Sequence, residues 1–197
     1  MMIDLSLILL AYLIGSLASA VLVSRLMGLP DPRAHGSGNP GATNVLRLGN
    51  RRAAAIALLG DILKGLLPVL IATGLGASNF TVAAVGLAAF FGHLYPIFFC
   101  FRGGKGVATS LGVLFGLSWE VGLAFSITWL LTARFSRFSS LAALCAALMA
   151  PLYMHWFGGP REFQIAALIM STLLIWRHRS NIQNLRNGTE SRIGASG

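Results

Sequence analysis

Three blocks of glycine and polar residues interrupt an otherwise apolar chain, and the first covers residues 36–44 (GSGNPGATN). Its glycines let a backbone loop approach a ligand closely and direct amide groups toward it. Arg47 follows with a planar charged fork that suits phosphate. The block predicts an anion-binding loop, although an ordinary flexible connection would also use such residues. The polar and glycine candidates in this block are Ser37, Gly38, Asn39, Gly41, Thr43 and Asn44.

The second block, DILKG, places Asp61 and Lys64 three residues apart inside a long apolar segment. At that spacing the two charges share one face of a helix and can pair. Because charges are costly in a membrane helix, they normally face the protein interior or a water-filled cavity. Gly65 and Pro68 favour a loosened helix beside a functional site. An ion pair that only holds helices together remains an alternative.

The third block, GHLYPIFFCFRGGKGVAT over residues 92–109, carries a histidine, a proline and then a basic glycine-rich turn. Gly103 and Gly104 precede Lys105, and backbone amides at the start of a helix attract anions. A nucleotide-binding P-loop is excluded, because its first glycine is replaced by Phe99 and its Ser/Thr by Gly106. His93 is a candidate for chemistry, with a structural role as the alternative.

Ser139 and Ser140 stand where the next apolar segment begins, and they are expected to cap that helix. The basic stretch RHRSN at residues 177–181 follows the last apolar segment and includes His178 and Asn181. Topology-setting charge alone would explain that stretch. Cys100 and Cys145 show neither CxxC nor Cys/His ligand spacing, so no metal site, disulfide framework or cofactor is predicted.

The elements that position these blocks are predicted to be membrane helices. The chain has 197 residues, of which 55% are hydrophobic and 11% charged, whereas soluble domains carry about 25% charged residues. A fold of this size could not hide so much apolar surface from water. The formal charge of +9 is concentrated between apolar runs, which indicates membrane topology and anion binding rather than nucleic-acid binding.

We predict an all-α, polytopic integral membrane protein of about seven transmembrane helices, because lipid forces backbone polar groups to bond within each segment. No linker or internal repeat divides the chain, so residues 1–197 are expected to form one domain. The predicted segments are Leu5–Met27, Ala53–Gly76, Phe80–Phe101, Val107–Ser118, Val121–Ala133, Leu141–Phe157 and Phe163–Trp176.

Lys and Arg residues alternate between rich and poor connections, which predicts an outside N-terminus and a cytoplasmic C-terminus. The fourth and fifth segments are short, and Glu120 lies between them. Two helices in a hairpin are favoured over one long interrupted span. Five full crossings remain an alternative to seven if short segments are re-entrant.

GSGNPGATNVLR, DILKG and GHLYPIFFCFRGGKGVAT resemble, in order and spacing, the three motifs of bacterial membrane glycerol-3-phosphate acyltransferases that use acyl phosphate. The tail RHRSNIQNLRNGTE is also similar, so the resemblance covers nearly the whole chain. It implies acyl transfer from acyl phosphate to the sn-1 hydroxyl of glycerol-3-phosphate, giving lysophosphatidic acid and phosphate. It also implies a first step of phospholipid synthesis at the cytoplasmic face of the bacterial inner membrane. The enzyme that supplies acyl phosphate is a candidate partner.

The resemblance implies roles for particular residues. Ser37 and Lys105 would hold the acyl phosphate and polarise its carbonyl, while His93 and Asn44 would shape or polarise the reacting centre. The residues expected to bind the phosphate of glycerol-3-phosphate are Arg47, Lys105, Ser140, His178 and Asn181. The glycines and the lysine expected to contribute to substrate binding are Gly38, Gly41, Lys64, Gly65, Gly103 and Gly104, with Thr43 beside them.

Two questions remain open at this level. The proton of the attacking hydroxyl could pass to His93 or to the phosphate of the substrate; we favour the phosphate, because acyl phosphate is already activated. A covalent acyl intermediate on Ser37 is not expected, since the sequence places no evident His–acid pair beside it.

Acyltransferases with a His-x-x-x-x-Asp pair are excluded, because none of the four histidines has that spacing. A small transporter of organic phosphate anions is the alternative function.

Overall fold

The computed structural model describes residues 2–194. Within them, turns and loops connect the helices, and no strand is present. A short 3-10 helix, Ile97–Phe99, follows the fifth α-helix. The α-helices, numbered in chain order, are α1 Met2–Gly15, α2 Ser19–Leu26, α3 Ala42–Arg47, α4 Arg51–Gly74, α5 Asn79–Leu94, α6 Val107–Leu117, α7 Trp119–Ser136, α8 Ser139–Trp156, α9 Arg161–Arg177 and α10 Arg179–Arg186.

The first predicted segment, Leu5–Met27, is not one straight helix, and this prediction is corrected. It is split into α1 and α2, whose axes differ by 47°. At the end of α1, Gly15 lies directly against the backbone of Ala89 in α5, leaving no room for a side chain. At the break, the Lys64 ammonium donates to the Leu17 carbonyl at 2.6 Å. This bond satisfies a carbonyl that the interrupted helix leaves free, which a membrane environment requires.

The fourth and fifth predicted segments are two separate helices, as expected. Ser118 alone separates α6 from α7, and its hydroxyl accepts a hydrogen bond from the Val121 amide at 3.4 Å as the N-cap of α7. Glu120 lies in the first turn of α7, where a negative charge complements the helix dipole. The helix is therefore longer than the predicted Val121–Ala133 segment.

The second predicted segment corresponds to α4, which runs without interruption over 24 residues. Gly65 and Pro68 lie inside this helix and are both buried, and the loosening predicted at these residues stays a prediction. The helix packs against α6 most extensively, and also against α5, α2, α3 and α1. Small residues permit this close packing, as in other membrane helix bundles.

Small side chains fill the interior, whereas large apolar ones cover the outside. Alanines of α5, α8 and α9 are buried together with Phe90 and Leu94. On the outer surface, Phe135 and Trp156 are more than four-fifths exposed. By length and composition, α4, α8 and α5 with its 3-10 extension could cross a membrane, and the bent α1–α2 pair would be a fourth span. Such an apolar exterior fits a lipid environment.

Candidate functional site

A cavity of about 330 Å³ brings the three sequence blocks and the basic tail together. Loop 36–44, α4, the turn before α6, α8 and α10 all contribute to its wall. The residues predicted from sequence that line it are Ser37, Gly41, Thr43, Asn44, Arg47, His93, Lys105, Ser140, His178 and Asn181.

Asn44 organises the loop of the first block from inside. Its side-chain oxygen accepts the Ser37 amide at 2.9 Å, and its amide donates to the carbonyls of Pro32 at 2.7 Å and His35 at 3.0 Å. The side chain is almost fully buried, so these bonds replace the water it has lost. Asn44 therefore sets the shape of the loop that carries Ser37 to the cavity.

Lys105 lies in the turn before α6 and is joined to the C-terminal part of the chain. Its ammonium donates to the Asn181 side-chain oxygen, and the Asn181 amide donates to the Glu190 carboxylate at 2.9 Å. The Ser140 hydroxyl donates to the same carboxylate at 2.7 Å. Burial lowers the pKa of Lys105 from its ordinary value, and the charge of Glu190 acts in the opposite direction.

His178 follows α9 and is buried at the cavity wall. Its Nδ1 lies 2.8 Å from the Leu174 carbonyl. Since a carbonyl can only accept, Nδ1 carries the proton and Nε2 is the free acceptor of the neutral ring. Burial lowers the pKa of His178 to about 4. The ring is therefore neutral at pH 7 and can serve the site as a polar group without charge.

The predicted pair of Asp61 and Lys64 forms, with 2.8 Å between carboxylate and ammonium. His93 Nδ1 lies 3.6 Å from the same carboxylate, beyond hydrogen-bond distance but close enough for electrostatic contact. All three side chains are buried, and Asp61 and His93 line the cavity. A His–acid pair of Asp61 and His93 thus exists in the cavity wall, whereas the prediction concerned only a pair placed to activate Ser37.

Several predicted binding residues lie outside the cavity wall, namely Gly38, Lys64, Gly65, Gly103 and Gly104. Gly104 is pressed against the His93 ring, where a side chain would collide with Nε2. Arg177 holds the turn by donating to the carbonyls of Gly103 at 2.9 Å and Gly104 at 3.0 Å. Gly103 and Gly104 therefore support the wall behind the lining residues.

The apolar lining of the cavity was not predicted. Leu111 of α6 lines it together with Phe125, Trp129 and Leu130 of α7. Glu190 was also missed as a site residue. Apolar residues in a membrane helix carry no local signal of a cavity, and a single acid near a chain end resembles ordinary surface charge.

The expected capping role of the two serines at α8 is wrong. The helix begins at Ser139 itself, and the preceding Phe138 makes no side-chain cap. Ser139 instead lies 3.3 Å from the Thr43 hydroxyl of the first block, and Ser140 donates to Glu190. Both hydroxyls are therefore used in contacts between distant segments at the cavity.

The fold and the cavity define a helical integral membrane protein whose site joins cations and hydrogen-bond donors to an apolar wall. A family model described as glycerol-3-phosphate acyltransferase matches residues 5–188. The chain therefore belongs to the glycerol-3-phosphate acyltransferase family, and it is an acyltransferase.

Curated relatives agree over almost the full length. A glycerol-3-phosphate acyltransferase of Methylococcus capsulatus is 58% identical, covering 94% of this chain and 93% of its own. One of Halorhodospira halophila is 53% identical and covers 100% of both chains. The transporter alternative is not favoured by any of these relatives.

Solved structures show the same fold. The crystal structure of PlsY, an integral membrane glycerol 3-phosphate acyltransferase, in its glycerol 3-phosphate form superposes with a TM-score of 0.93 at 40% identity. It covers 97% of this chain and 96% of its own. The lysophosphatidic acid form gives a TM-score of 0.91 at 39% identity, with 97% and 95% covered.

Proposed function

We propose that this protein transfers the fatty acyl group of an acyl phosphate to the sn-1 hydroxyl of glycerol-3-phosphate. The observation that carries the proposal is the mixed lining of the cavity, which combines the cations of Arg47 and Lys105 with the aromatic side chains of Phe125 and Trp129. A phosphorylated polar acceptor suits the cationic groups, and an acyl chain suits the apolar ones. Family membership supports the acceptor, since PlsY has been solved in a glycerol 3-phosphate form.

In the proposed reaction the sn-1 oxygen attacks the acyl carbonyl carbon and forms the new ester bond. The bond between that carbon and the phosphate oxygen breaks, and inorganic phosphate leaves with both bonding electrons. The hydroxyl proton is transferred as the ester forms, and the other product is lysophosphatidic acid. Because the donor is activated, holding both reactants in line and stabilising charge supply the main acceleration.

The proposed roles divide the cavity lining between the two substrates. Ser37, the amides of its loop and Lys105 hold the acyl phosphate and polarise its carbonyl. Asn44 shapes this part of the site, which agrees with its bond to the Ser37 amide. The residues proposed to hold the phosphate of glycerol-3-phosphate are Arg47, Lys105, Ser140, His178 and Asn181. Supporting contributions are proposed for Gly38, Gly41, Thr43, Lys64, Gly65, Gly103 and Gly104.

We propose that the phosphate of the donor takes the proton, with His93 shaping the centre. The contact between His93 and Asp61 keeps the alternative of a histidine base open, because a carboxylate can orient a ring for that role. A His93→Gln variant distinguishes them. Retained turnover supports the phosphate, whereas loss of turnover with normal binding of glycerol-3-phosphate would favour His93.

The proposed setting is the bacterial inner membrane, with the cavity open to the cytoplasm. A single domain over residues 1–197 crosses the bilayer seven times, with the N-terminus outside and the C-terminus inside. The basic connections that carry Arg47, Lys105 and Arg137 then share the cytoplasmic side, in accordance with the positive-inside rule.

The experiment that tests the function uses purified protein in detergent with labelled glycerol-3-phosphate and either acyl phosphate or acyl-CoA. We expect lysophosphatidic acid and one equivalent of phosphate when acyl phosphate is the donor, and no product when acyl-CoA is the donor. Product formed only from acyl-CoA would refute the proposed donor. An acyl group at the sn-2 position of the product, established by regiospecific lipase digestion, would refute the proposed acceptor hydroxyl.

A further inference from the structure

Glu190 is a carboxylate that lines the cavity together with the cations Arg47 and Lys105, and, unlike the lining acid Asp61, it has among the described residues no ion-pair partner comparable to Lys64. An acid is unexpected where phosphate is to bind, since like charges repel. It also has no part in the proposed reaction. Its contacts indicate what it does.

A tight turn after α10 directs Glu190 back to the cavity. The Thr189 amide donates to the Asn184 carbonyl at 2.9 Å, and the Gly188 amide donates to the Leu185 carbonyl at 3.3 Å. Gly188 has φ +71°, the left-handed conformation that glycine adopts at this position of a helix C-terminus. The chain is thereby reversed immediately before Glu190.

The segment that follows Glu190 is tied down by three contacts. The Ser191 carbonyl accepts from Arg47 at 3.3 Å, and the Ile193 amide donates to the Arg137 carbonyl at 2.7 Å. The Arg192 guanidinium lies 5.4 Å from the centre of the Phe138 ring. The carboxylate is thus held in place by a segment bound to α3 and to the α7–α8 connection.

The Asn181 side chain can link Glu190 to Lys105 in only one orientation. A carboxylate only accepts, so the Asn181 amide group must face Glu190. An ammonium only donates, so the Asn181 oxygen must face Lys105. Reversing the Asn181 side chain would break both contacts. Glu190 therefore selects the one orientation of Asn181 that can hold Lys105.

We infer that Glu190 is a positioning residue, which holds Lys105 through Asn181 and holds Ser140 directly so that the phosphate-binding groups are arranged before substrate arrives. This inference rests on the proposed function, in which Lys105, Asn181 and Ser140 bind phosphate. A site arranged in advance avoids ordering these side chains at each turnover. Glu190 itself touches no reacting atom.

The charge of Glu190 has a second effect on Lys105. Burial lowers the pKa of Lys105, and the nearby cations Arg47 and Arg177 lower it further, whereas Glu190 raises it. His178 also faces this group but is neutral above about pH 4. Removing the negative charge should therefore make Lys105 lose its proton at a lower pH. The alkaline limit of activity should move with it.

The test compares Glu190→Gln, which keeps an acceptor and removes the charge, with Glu190→Ala, which removes both. We expect the KM for glycerol-3-phosphate to rise roughly tenfold or more in Glu190→Ala and less in Glu190→Gln, as for hydrogen bonds to charged groups. In Glu190→Gln the alkaline limb of the pH profile should move to lower pH. Glu162→Gln, at the start of α9 and outside the cavity, is the matched control and should change neither quantity.

A double-mutant cycle tests whether Glu190 acts through Asn181. Glu190→Ala should cost much less in kcat/KM when Asn181→Ala is already present. Equal costs in both backgrounds would overturn the inference, as would an unchanged KM and alkaline limb in Glu190→Gln. A lower KM in that variant would also overturn it, because Glu190 would then compete with phosphate.

Two controls keep these outcomes interpretable. Size-exclusion profiles and thermal unfolding in detergent show whether each variant is folded, and Glu190→Gln preserves the shape of the side chain. Wild-type turnover with acyl phosphate and glycerol-3-phosphate tests the proposed function separately. Its absence would refute that function, whereas normal wild-type turnover with unaffected Glu190 variants refutes only the inference.

Discussion

Lys105 and Arg102 are cations three positions apart in one turn, yet only Lys105 lines the cavity. Arg102 is exposed. We expect Lys105→Gln to lower kcat/KM by about 10- to 150-fold, because hydrogen bonds to charged groups contribute about 1.5–3 kcal/mol. Steady-state kinetics with varied glycerol-3-phosphate measures this loss.

Arg102→Gln removes the same charge from the neighbouring exposed position and is the control for Lys105→Gln. Its kcat/KM should stay within about twofold of wild type, since isolated surface charges contribute little. A comparable loss in both variants would mean that general positive charge, rather than the contacts of Lys105, attracts the substrates.

His178 should make the protein less stable in mild acid. Its pKa is lowered by burial to about 4, whereas an unfolded histidine titrates near 6.5, so the unfolded state binds more protons between these values. The stability that depends on the neutral ring of His178 is complete above about pH 6.5 and is lost as the pH falls toward 4. We expect a loss of about 2 kcal/mol between pH 7 and pH 5, measured by denaturant unfolding in detergent.

The variant His178→Gln isolates this contribution, because glutamine does not titrate. Its unfolding free energy should change less between pH 7 and pH 5 than that of the wild type. Identical pH dependence in the two proteins would show that His178 is not held neutral by burial.

At the scale of elements, the contact between α4 and α6 depends on Gly65. A side chain at this position would collide with the Thr109 carbonyl of α6. We expect Gly65→Ala to lower the free energy of unfolding by about 1–3 kcal/mol, as overpacking of an interior does. Activity should fall with it, since α4 carries Asp61 and α6 follows Lys105. Thermal unfolding in detergent and the acyl-transfer assay measure the two effects.

Gly74, at the end of the same helix, is the matched control for Gly65. Apart from its chain neighbours and the backbone of its own helix, no atom of the described residues lies within 4 Å of where its side chain would be. Gly74→Ala should leave stability unchanged or raise it by up to about 1 kcal/mol, because alanine favours helix. If both substitutions destabilise equally, close packing against α6 is not the reason for glycine at position 65.

At the scale of the whole molecule, the proposed topology places connections with alternating charge on opposite sides of the membrane. Single cysteines can be introduced after Cys100 and Cys145 are replaced. Cysteines replacing Arg102 and Arg137 should react with impermeant reagents in inverted vesicles, which expose the cytoplasmic side of the membrane. They should not react in intact cells. Labelling of either position in intact cells would refute the proposed topology.

Ala77 and Arg161 provide the opposite pair for this labelling experiment, since Ala77 lies in an uncharged connection and Arg161 begins α9 beside Glu162. Cysteines at these positions should react from the outside of intact cells. If Ala77 and Arg102 label from the same side, α5 does not cross the bilayer, and the alternative of five crossings gains support.

Much of the helical framework could be predicted because lipid imposes a simple requirement. A backbone without water must hydrogen-bond within its own segment, so long apolar runs such as Ala53–Gly76 indicate helices directly. The break within Leu5–Met27 could not be predicted in this way. It depends on Gly15 meeting α5 and on Lys64 reaching the Leu17 carbonyl, and neither contact is visible in the local pattern.

The sequence by itself determined the chemistry available to this protein: an apolar exterior, basic connections and polar, glycine-rich blocks that suit phosphate. Only the tertiary structure decided which of those groups share a cavity. Lys105 meets Asn181, 76 positions away, while Gly103 and Gly104 support the wall from behind. The reason is physical, because residue type limits which interactions are possible, whereas distances between remote segments depend on how all the helices pack.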